Sequence, residues 1–262
     1  MPDYTSYFTF PTGKLVDAGY SGVATFARES TQCRPVAAET TLVFTNDGEN
    51  EIFLKEGDRH FEFDPLEEEH LFATRWPHVY ADQTRIGLPP SALGAHMWKH
   101  VDAEGRCVVT KHRFILKKEE NDESDNENEE SNSRSNESKS GQTSTTATSK
   151  NLFIFNVYCP RNDQTRPDRL HFQLRFYHFI ERRAKQLLAE APDDNYVMIV
   201  GDFNTTVAPV DVYDDAQWSY VGSCSRKWIN ELLATKSDKT DDSSNSATMM
   251  FYDAFRHLNR DE

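Results

Sequence analysis

Long apolar runs are missing from this sequence. No stretch approaches the roughly 20 consecutive apolar residues that a membrane-spanning helix needs, and Met1-Pro-Asp-Tyr-Thr5 leads into no apolar core of a secretory signal. Cysteine is scarce: Cys33, Cys107, Cys159 and Cys224 are scattered, with no Cys-x-x-Cys pair and no neighbouring histidines at zinc-ligand spacing. That argues against a disulfide framework and a zinc ribbon, so the expectation is a soluble, intracellular chain in a reduced compartment, with no membrane contact. Basic charge is also short. With 29 Lys and Arg against 43 Asp and Glu, the net charge is −14, which argues on its face against a polyanionic partner, because phosphate contacts need cations to displace counterions.

That average conceals an uneven distribution. Residues 47–69 and 117–150 are both strongly acidic, and the remainder is close to neutral. Within it Arg161, Arg166, Arg169, Arg175, Arg182, Arg183, Arg226 and Lys227 fall in one third of the chain, so a local basic surface is an expectation. A hydrophobic content of 37% over 262 residues suffices for one large core, and one domain over 1–262 is expected. From Lys117 to Lys150 an acidic, Ser/Asn-rich and then Ser/Thr-rich stretch has no large apolar residue to bury. It reads as a disordered insertion, and 235–248 reads as a smaller flexible loop.

The clearest element is Leu152-Phe-Ile-Phe-Asn-Val-Tyr158, an apolar, aromatic run ended by Pro160, the pattern of a central strand buried on both faces. Asp168 is placed to cap a following helix, in which Leu170, Leu174, Tyr177, Ala184, Leu187 and Leu188 recur at helical spacing until Pro192. Tyr196-Val-Met-Ile-Val200 predicts a second buried strand that breaks off at Gly201-Asp202-Phe203-Asn204, a position that functional loops favour. Ser225 is read as the cap of a short helix burying Trp228, Ile229, Leu232 and Leu233, and Val23 to Phe26 as a strand. Leu66–Phe72 and Ser91–Trp98 are candidate short helices. The mixture indicates an α/β class.

Asp202 and Asn204, two apart beyond an apolar strand, place a carboxylate and an amide where both reach one phosphate and a hard cation, and magnesium prefers such oxygen ligands. The same tripeptide after a glycine also reads as a turn whose side chains satisfy local amides. Tyr158 at the end of the other strand reads equally as core with a hydroxyl at the rim. His96 and His100 have the i, i+4 spacing of a metal site but no acidic third ligand. Glu67-Glu68-Glu69 reads as a solvated face and is assigned no site.

Several separated motifs occur together and in order. They are Gly19-Tyr20-Ser21-Gly22-Val23-Ala24-Thr25-Phe26, Arg34-Pro35-Val36-Ala37-Ala38-Glu39, Asp102-Ala103-Glu104-Gly105-Arg106, Asn156-Val157-Tyr158-Cys159-Pro160, Arg175-Phe176-Tyr177, Val200-Gly201-Asp202-Phe203-Asn204 and Arg226-Lys227-Trp228. In this combination the chain resembles the exonuclease III family of AP endonucleases, magnesium-dependent DNA-repair phosphodiesterases within the endonuclease/exonuclease/phosphatase superfamily. Cys159 and the Arg-Lys-Trp segment single out one subfamily.

The resemblance implies a four-layered α/β sandwich of two mixed sheets flanked by helices. It implies Tyr158 as the active-site tyrosine, Asp202 as the aspartate that orients or deprotonates the attacking water, and Asn204 as the asparagine on the phosphate. Asp202 and Asn204 would also be the metal contacts, for Mg2+ with Mn2+ as a substitute, and Tyr20 and Arg161 would approach the substrate. That substrate would be double-stranded DNA with an abasic site or a blocked 3′ end, processed as endonuclease or 3′-5′ exonuclease and 3′-phosphodiesterase by a monomer in the nucleus, with the mitochondrion as the alternative compartment. The family also carries an Asn and a metal-binding Glu upstream of Gly-Tyr-Ser-Gly, and an Asp-His pair after the segment matched by Asp253-Ala-Phe-Arg256. Neither is found here, so the expectation is a sandwich incomplete at both ends and weak or absent activity in isolation. Two alternatives stay open: a catalytically incomplete paralogue binding DNA or a repair partner through its basic helix, and a superfamily phosphatase acting on inositol phosphates or lipid headgroups.

Overall fold

The computed structural model describes residues 4–11, 22–28, 33–39, 64–85, 98, 101, 103–117, 147–163, 165–213, 223–233 and 251–259. Tyr20, His96, His100, Asp102, the proposed helix over 91–97, the loop 235–248 and residues 118–146 of the proposed insertion lie outside them.

The strands are β1 (Tyr4–Thr9), β2 (Val23–Arg28), β3 (Cys33–Glu39), β4 (Cys107–Lys117), β5 (Ala147–Tyr158) and β6 (Asn195–Asp202). The α-helices are α1 (Pro65–Arg75), α2 (Pro77–Arg85), α3 (Pro167–Glu190), α4 (Ser223–Leu233) and α5 (Ala254–Leu258). Among the described residues, β3-β4-β5-β6 form one sheet, antiparallel except for the parallel β5-β6 pair, and β1-β2 form an antiparallel ribbon. Parallel neighbours need a crossover, and α3 supplies it.

Strand alternation then sorts side chains by face. On β5, Phe153, Phe155 and Val157 are buried with Leu174, Phe176, Tyr177, Phe179 and Ile180 of α3 and with Trp228 and Ile229 of α4. The helices therefore cover that face. Asn156, on the alternate face, donates from Nδ2 to Ala24 O at 2.9 Å and to Thr25 Oγ1 at 3.1 Å, so the β1-β2 ribbon lies over the opposite face. Helices, sheet and second sheet are three layers of an α/β sandwich.

Several expectations need correction. Lys117 ends β4 and Ala147–Lys150 begin β5, so the insertion is bounded more narrowly than 117–150. These polar residues are strand because β4 and β5 pair in unbroken register out to Lys117↔Ala147; a backbone ladder needs no apolar side chain. β6 is not buried on both faces, since Tyr196, Met198 and Val200 are exposed; α3 covers one face only. The cap of α3 is Arg166, with Pro167 in its first turn and Asp168 following as a first-turn acid, where a carboxylate favours the helix dipole without capping. α4 starts at Ser223, ahead of Ser225, which is buried inside it. α1 runs on to Arg75, capped by Asp64, whose side chain accepts from the Leu66 amide at 2.8 Å.

The largest correction concerns charge. Arg175 and Arg183 are buried and Arg182 is half-exposed, so α3 does not present a basic face. Arg175 Nη2 donates to Glu69 Oε1 at 2.8 Å, Arg182 Nε to Glu68 Oε1 at 2.9 Å, and Arg183 to Glu39. Glu68 and Glu69, read as a solvated face, are themselves buried, and Glu68 also takes His178 Nε2 at 2.5 Å. Burial by itself would raise the Glu68 carboxyl, but the His178 hydrogen bond and charge, with Arg182, hold it below its ordinary value. Each helix neutralises the other's charges because neither set can be taken out of water alone.

Candidate active site

The site forms where β5 and β6 end together. Tyr158 and Asp202 are Cα partners on the last rung of the parallel pair, so both side chains rise from the same face of the sheet, at the carboxyl ends where α/β folds gather functional groups. Cys159 N donates to Asp202 O at 2.8 Å, carrying the pairing one residue further.

Gly201 makes the approach possible. Its φ is +128°, and a Cβ there would stand 1.9 Å from Val157 O, so only glycine fits between the two strands. Asn204 takes the left-handed conformation, φ 48°, which asparagine tolerates better than most residues. Its amide donates to Asp202 Oδ1 at 2.9 Å, and its side-chain Nδ2 to Cys159 O at 2.7 Å. The turn reading of Asp-x-Asn is therefore realised, and it leaves part of each side chain outside the turn's own hydrogen bonds. One Asp202 oxygen and the Asn204 amide nitrogen fix the turn, while Asp202 Oδ2 and Asn204 Oδ1 are the two oxygens left over from these bonds.

Tyr158 is held from behind. Arg106 Nη1 donates to Tyr158 O at 3.0 Å, and its guanidinium lies 4.7 Å from the Tyr158 ring centroid. Glu104 fixes Arg106 at 2.5 Å and receives Arg169 at 2.5 and 3.1 Å. Burial alone would raise the Glu104 carboxyl, but these two arginines hold it below its ordinary 4.5. The turn carrying Glu104 and Arg106 is set by Gly105, φ +59°, whose missing Cβ leaves room for the Phe10–Pro11 backbone of the ribbon. Arg161, the other substrate candidate, is exposed just beyond β5. The structure thus brings together Tyr158, Asp202 and Asn204, places Arg161 after the same strand end, and leaves Tyr20 outside the described residues.

Below the site, Tyr177 OH donates to Phe203 O at 2.5 Å, and its ring stacks on Trp228 at 4.0 Å and 3°. Burial, then Cys159 and Asp202, pushes the Tyr177 hydroxyl well above its ordinary 10.0, so it remains a donor. The buried Cys159 thiol is likewise raised well above 9.0, by burial and then by Asp202. Glu104, Arg106, Gln173 and Tyr177 were not assigned roles from sequence. The last two stand one helical turn apart on an otherwise apolar stripe of α3, the signal that marks them.

Asp202 and Asn204 offer oxygen donors only. Among the described residues no group of three or more His, Cys, Asp or Glu gathers round a common point. Two side-chain oxygens suit an ion such as magnesium, which keeps several waters and takes further oxygens from a phosphate.

No family model matches the chain. It is 30% identical over 271 residues to DNA-(apurinic or apyrimidinic site) endonuclease 2 of Xenopus laevis, covering 97% of this chain and 38% of that protein. The protein of the same name from Homo sapiens is 30% identical over 232 residues, covering 88% of this chain and 32% of its own length. The crystal structure of the Xenopus laevis APE2 catalytic domain matches with a TM-score of 0.55 and 26% identity, covering 98% of this chain and 56% of that chain. This chain is a homologue of AP endonuclease 2. It spans about a third of the length of the curated relatives it matches, and the likeness to the AP endonuclease 2 catalytic domain extends across the α/β fold described above.

Proposed function

We propose that the site hydrolyses DNA phosphodiesters in the manner of an AP endonuclease, with magnesium, or manganese in its place, as cofactor. The substrate is double-stranded DNA with an abasic site or a blocked 3′ end, cut endonucleolytically or trimmed by 3′-5′ exonuclease and 3′-phosphodiesterase action. The observation that carries this reading is the last rung of the parallel β5-β6 pair, which sets Tyr158 beside Asp202, with Asn204 two residues on.

In this mechanism Asp202 orients and deprotonates the attacking water, a general-base role that a carboxylate at hydrogen-bonding distance fills. Asn204 and the Tyr158 hydroxyl donate to, or order, the phosphoryl oxygens on which charge develops. Arg161 contacts a flanking phosphate, and Tyr20, which precedes β2 in the sequence, is assigned a DNA contact on the family resemblance alone. Asp202 and Asn204 would hold the metal, which supplies polarisation of a phosphoryl oxygen. The nucleus, or alternatively the mitochondrion, and a monomeric state rest on the family resemblance.

The reading that DNA is bound without being cut, through a basic α3, has little support, because Arg175 and Arg183 are buried in ion pairs. The test is a comparison of substrates under single-turnover conditions with enzyme in excess. Incision of a duplex carrying one abasic site, lost in Asp202→Asn, supports the proposal. Phosphate release from inositol phosphates with no incision of DNA would replace it with the phosphatase reading.

A further inference from the structure

The two strand ends that carry the site are joined by more than their own ladder. Gln173 of α3 is fully buried. Its Nε2 donates to Pro160 O at 2.8 Å, in the segment leaving β5, and to Asn204 O at 3.3 Å, in the segment leaving β6. Both neighbours are carbonyl acceptors, so the nitrogen must face them, and the amide orientation is fixed by chemistry. One turn further along α3, Tyr177 OH donates to Phe203 O. Two side chains four residues apart thus hold two consecutive carbonyls, those of Phe203 and Asn204. These carbonyls belong to the turn in which Asn204 is left-handed.

A buried glutamine is a costly way to fill a helix–sheet interface. Its Oε1 accepts no hydrogen bond among the described residues, and an orphaned buried acceptor is unfavourable. A leucine would pack there without that penalty, so packing alone gives no reason for an amide. What an amide does, and a leucine does not, is donate two hydrogens from one atom to two separate chain segments.

We infer that Gln173 is a positioning residue that sets the spacing between Tyr158 and Asn204 by bridging the carbonyls of Pro160 and Asn204. The Pro160 carbonyl lies two residues from Tyr158, and the Asn204 carbonyl belongs to the residue whose side chain reaches Cys159 O. A shift of either segment moves the Asn204 amide relative to the Tyr158 hydroxyl. Gln173 does not touch the substrate. The inference rests on the proposed site, yet the bridge is testable with neither DNA nor metal present.

The experiment uses the whole chain with Gln173→Leu and Gln173→Glu. The first readout is the NMR signals of the Asn204 side-chain amide and their solvent exchange in the free protein. The second is single-turnover incision of an abasic duplex, resolved into the maximal rate and the half-saturating enzyme concentration. In Gln173→Leu the Asn204 amide signals move and exchange faster. The maximal rate falls at least tenfold while half-saturation changes less than threefold, the pattern of lost alignment as opposed to lost binding.

Gln173→Glu keeps the length of the side chain but replaces the donating nitrogen by an oxygen, so at most one of the two carbonyls can be held. At one fixed pH its Asn204 amide signals move and exchange faster than those of wild type, although the side-chain volume is nearly unchanged. If Gln173→Leu does not fold, this near-isosteric variant decides the matter. Unmoved Asn204 signals in Gln173→Leu, or in Gln173→Glu where the leucine variant does not fold, would overturn the inference. Wild-type protein that shows the amide effects but never cuts DNA would leave the bridge standing and remove the proposed function instead.

Discussion

Removing the Glu69 carboxylate isolates the contribution of the buried charge network, and Glu69→Ala is the direct perturbation. Arg175 is 0% exposed. Glu69 receives Arg175 Nη2 at 2.8 and 3.1 Å and also Trp98 Nε1 at 2.9 Å. The guanidinium lies 4.2 Å from the Phe72 ring centroid and 5.7 Å from that of Trp98. Burial pulls the Arg175 pKa below its ordinary value, and Glu69 opposes that pull. Breaking a buried pair by removing one partner costs about 3–5 kcal/mol. The stranded Trp98 N–H would cost about 1–3 kcal/mol on its own. The two costs overlap, because one carboxylate serves both groups, so the expected loss is about 4 kcal/mol. Against a typical total stability of about 5–15 kcal/mol, that is a large fraction. Urea unfolding followed by tryptophan fluorescence measures it. The double variant Glu69→Leu/Arg175→Met removes both charges and should recover most of the loss, ending about 1–2 kcal/mol below wild type because Trp98 stays unpaired. A Glu69→Ala protein within 1 kcal/mol of wild type, or a double variant no better than the single one, would refute the reasoning.

Two further outcomes follow from particular residues. Gly201→Ala sets a Cβ 1.9 Å from Val157 O at a φ of +128°. It should cost at least about 2 kcal/mol in urea unfolding and slow incision more than tenfold, and an alanine variant with wild-type stability and rate would show that β6 ends differently. Glu68, Glu104 and Glu181 all sit below their ordinary 4.5 in the folded chain, because hydrogen bonds and opposite charges outweigh a burial effect that alone would raise them. Protons therefore bind the unfolded chain more readily. The stability these groups contribute is complete above pH about 4.5 and is lost as pH falls through their folded values. Urea midpoints should be flat in this respect from pH 5 to 7 and drop steeply below about pH 4; a midpoint that rises on acidification would contradict the network.

The parts of this molecule that could be read in advance are those in which a local pattern and the tertiary environment agree. The apolar run ending at Tyr158, the 3.6-residue spacing from Leu170 to Leu188 and the break at Gly201 each have one consistent reading, and β5, α3 and β6 follow them. The site emerges at their ends for that reason. What stayed hidden depends on partners far away in sequence. Glu68 and Glu69 look like a solvated acidic run until Arg175, His178 and Arg182, 106 to 114 positions away, meet them across the α1–α3 contact. The same pairing makes a basic-looking α3 electrically quiet. Arg175, His178 and Arg182 recur at helical spacing and Arg175 falls among apolar residues, the one local sign that a buried acidic partner is required. Gln173 was hidden likewise, because a lone polar residue on an apolar stripe acquires meaning only when two strand-end carbonyls arrive opposite it. The two-sided burial expected of β6 fails for a different reason: an apolar strand does not state how many layers cover it.

The measurement that bears most directly on the central claim is single-turnover cleavage of a duplex containing one abasic site, by wild type and Asp202→Asn, with magnesium present, chelated and restored. The account predicts incision, however slow, that stops on chelation, returns with magnesium, and falls by about 10²-fold or more in Asp202→Asn. Incision that is unaffected by that substitution, or that persists after chelation, would contradict it.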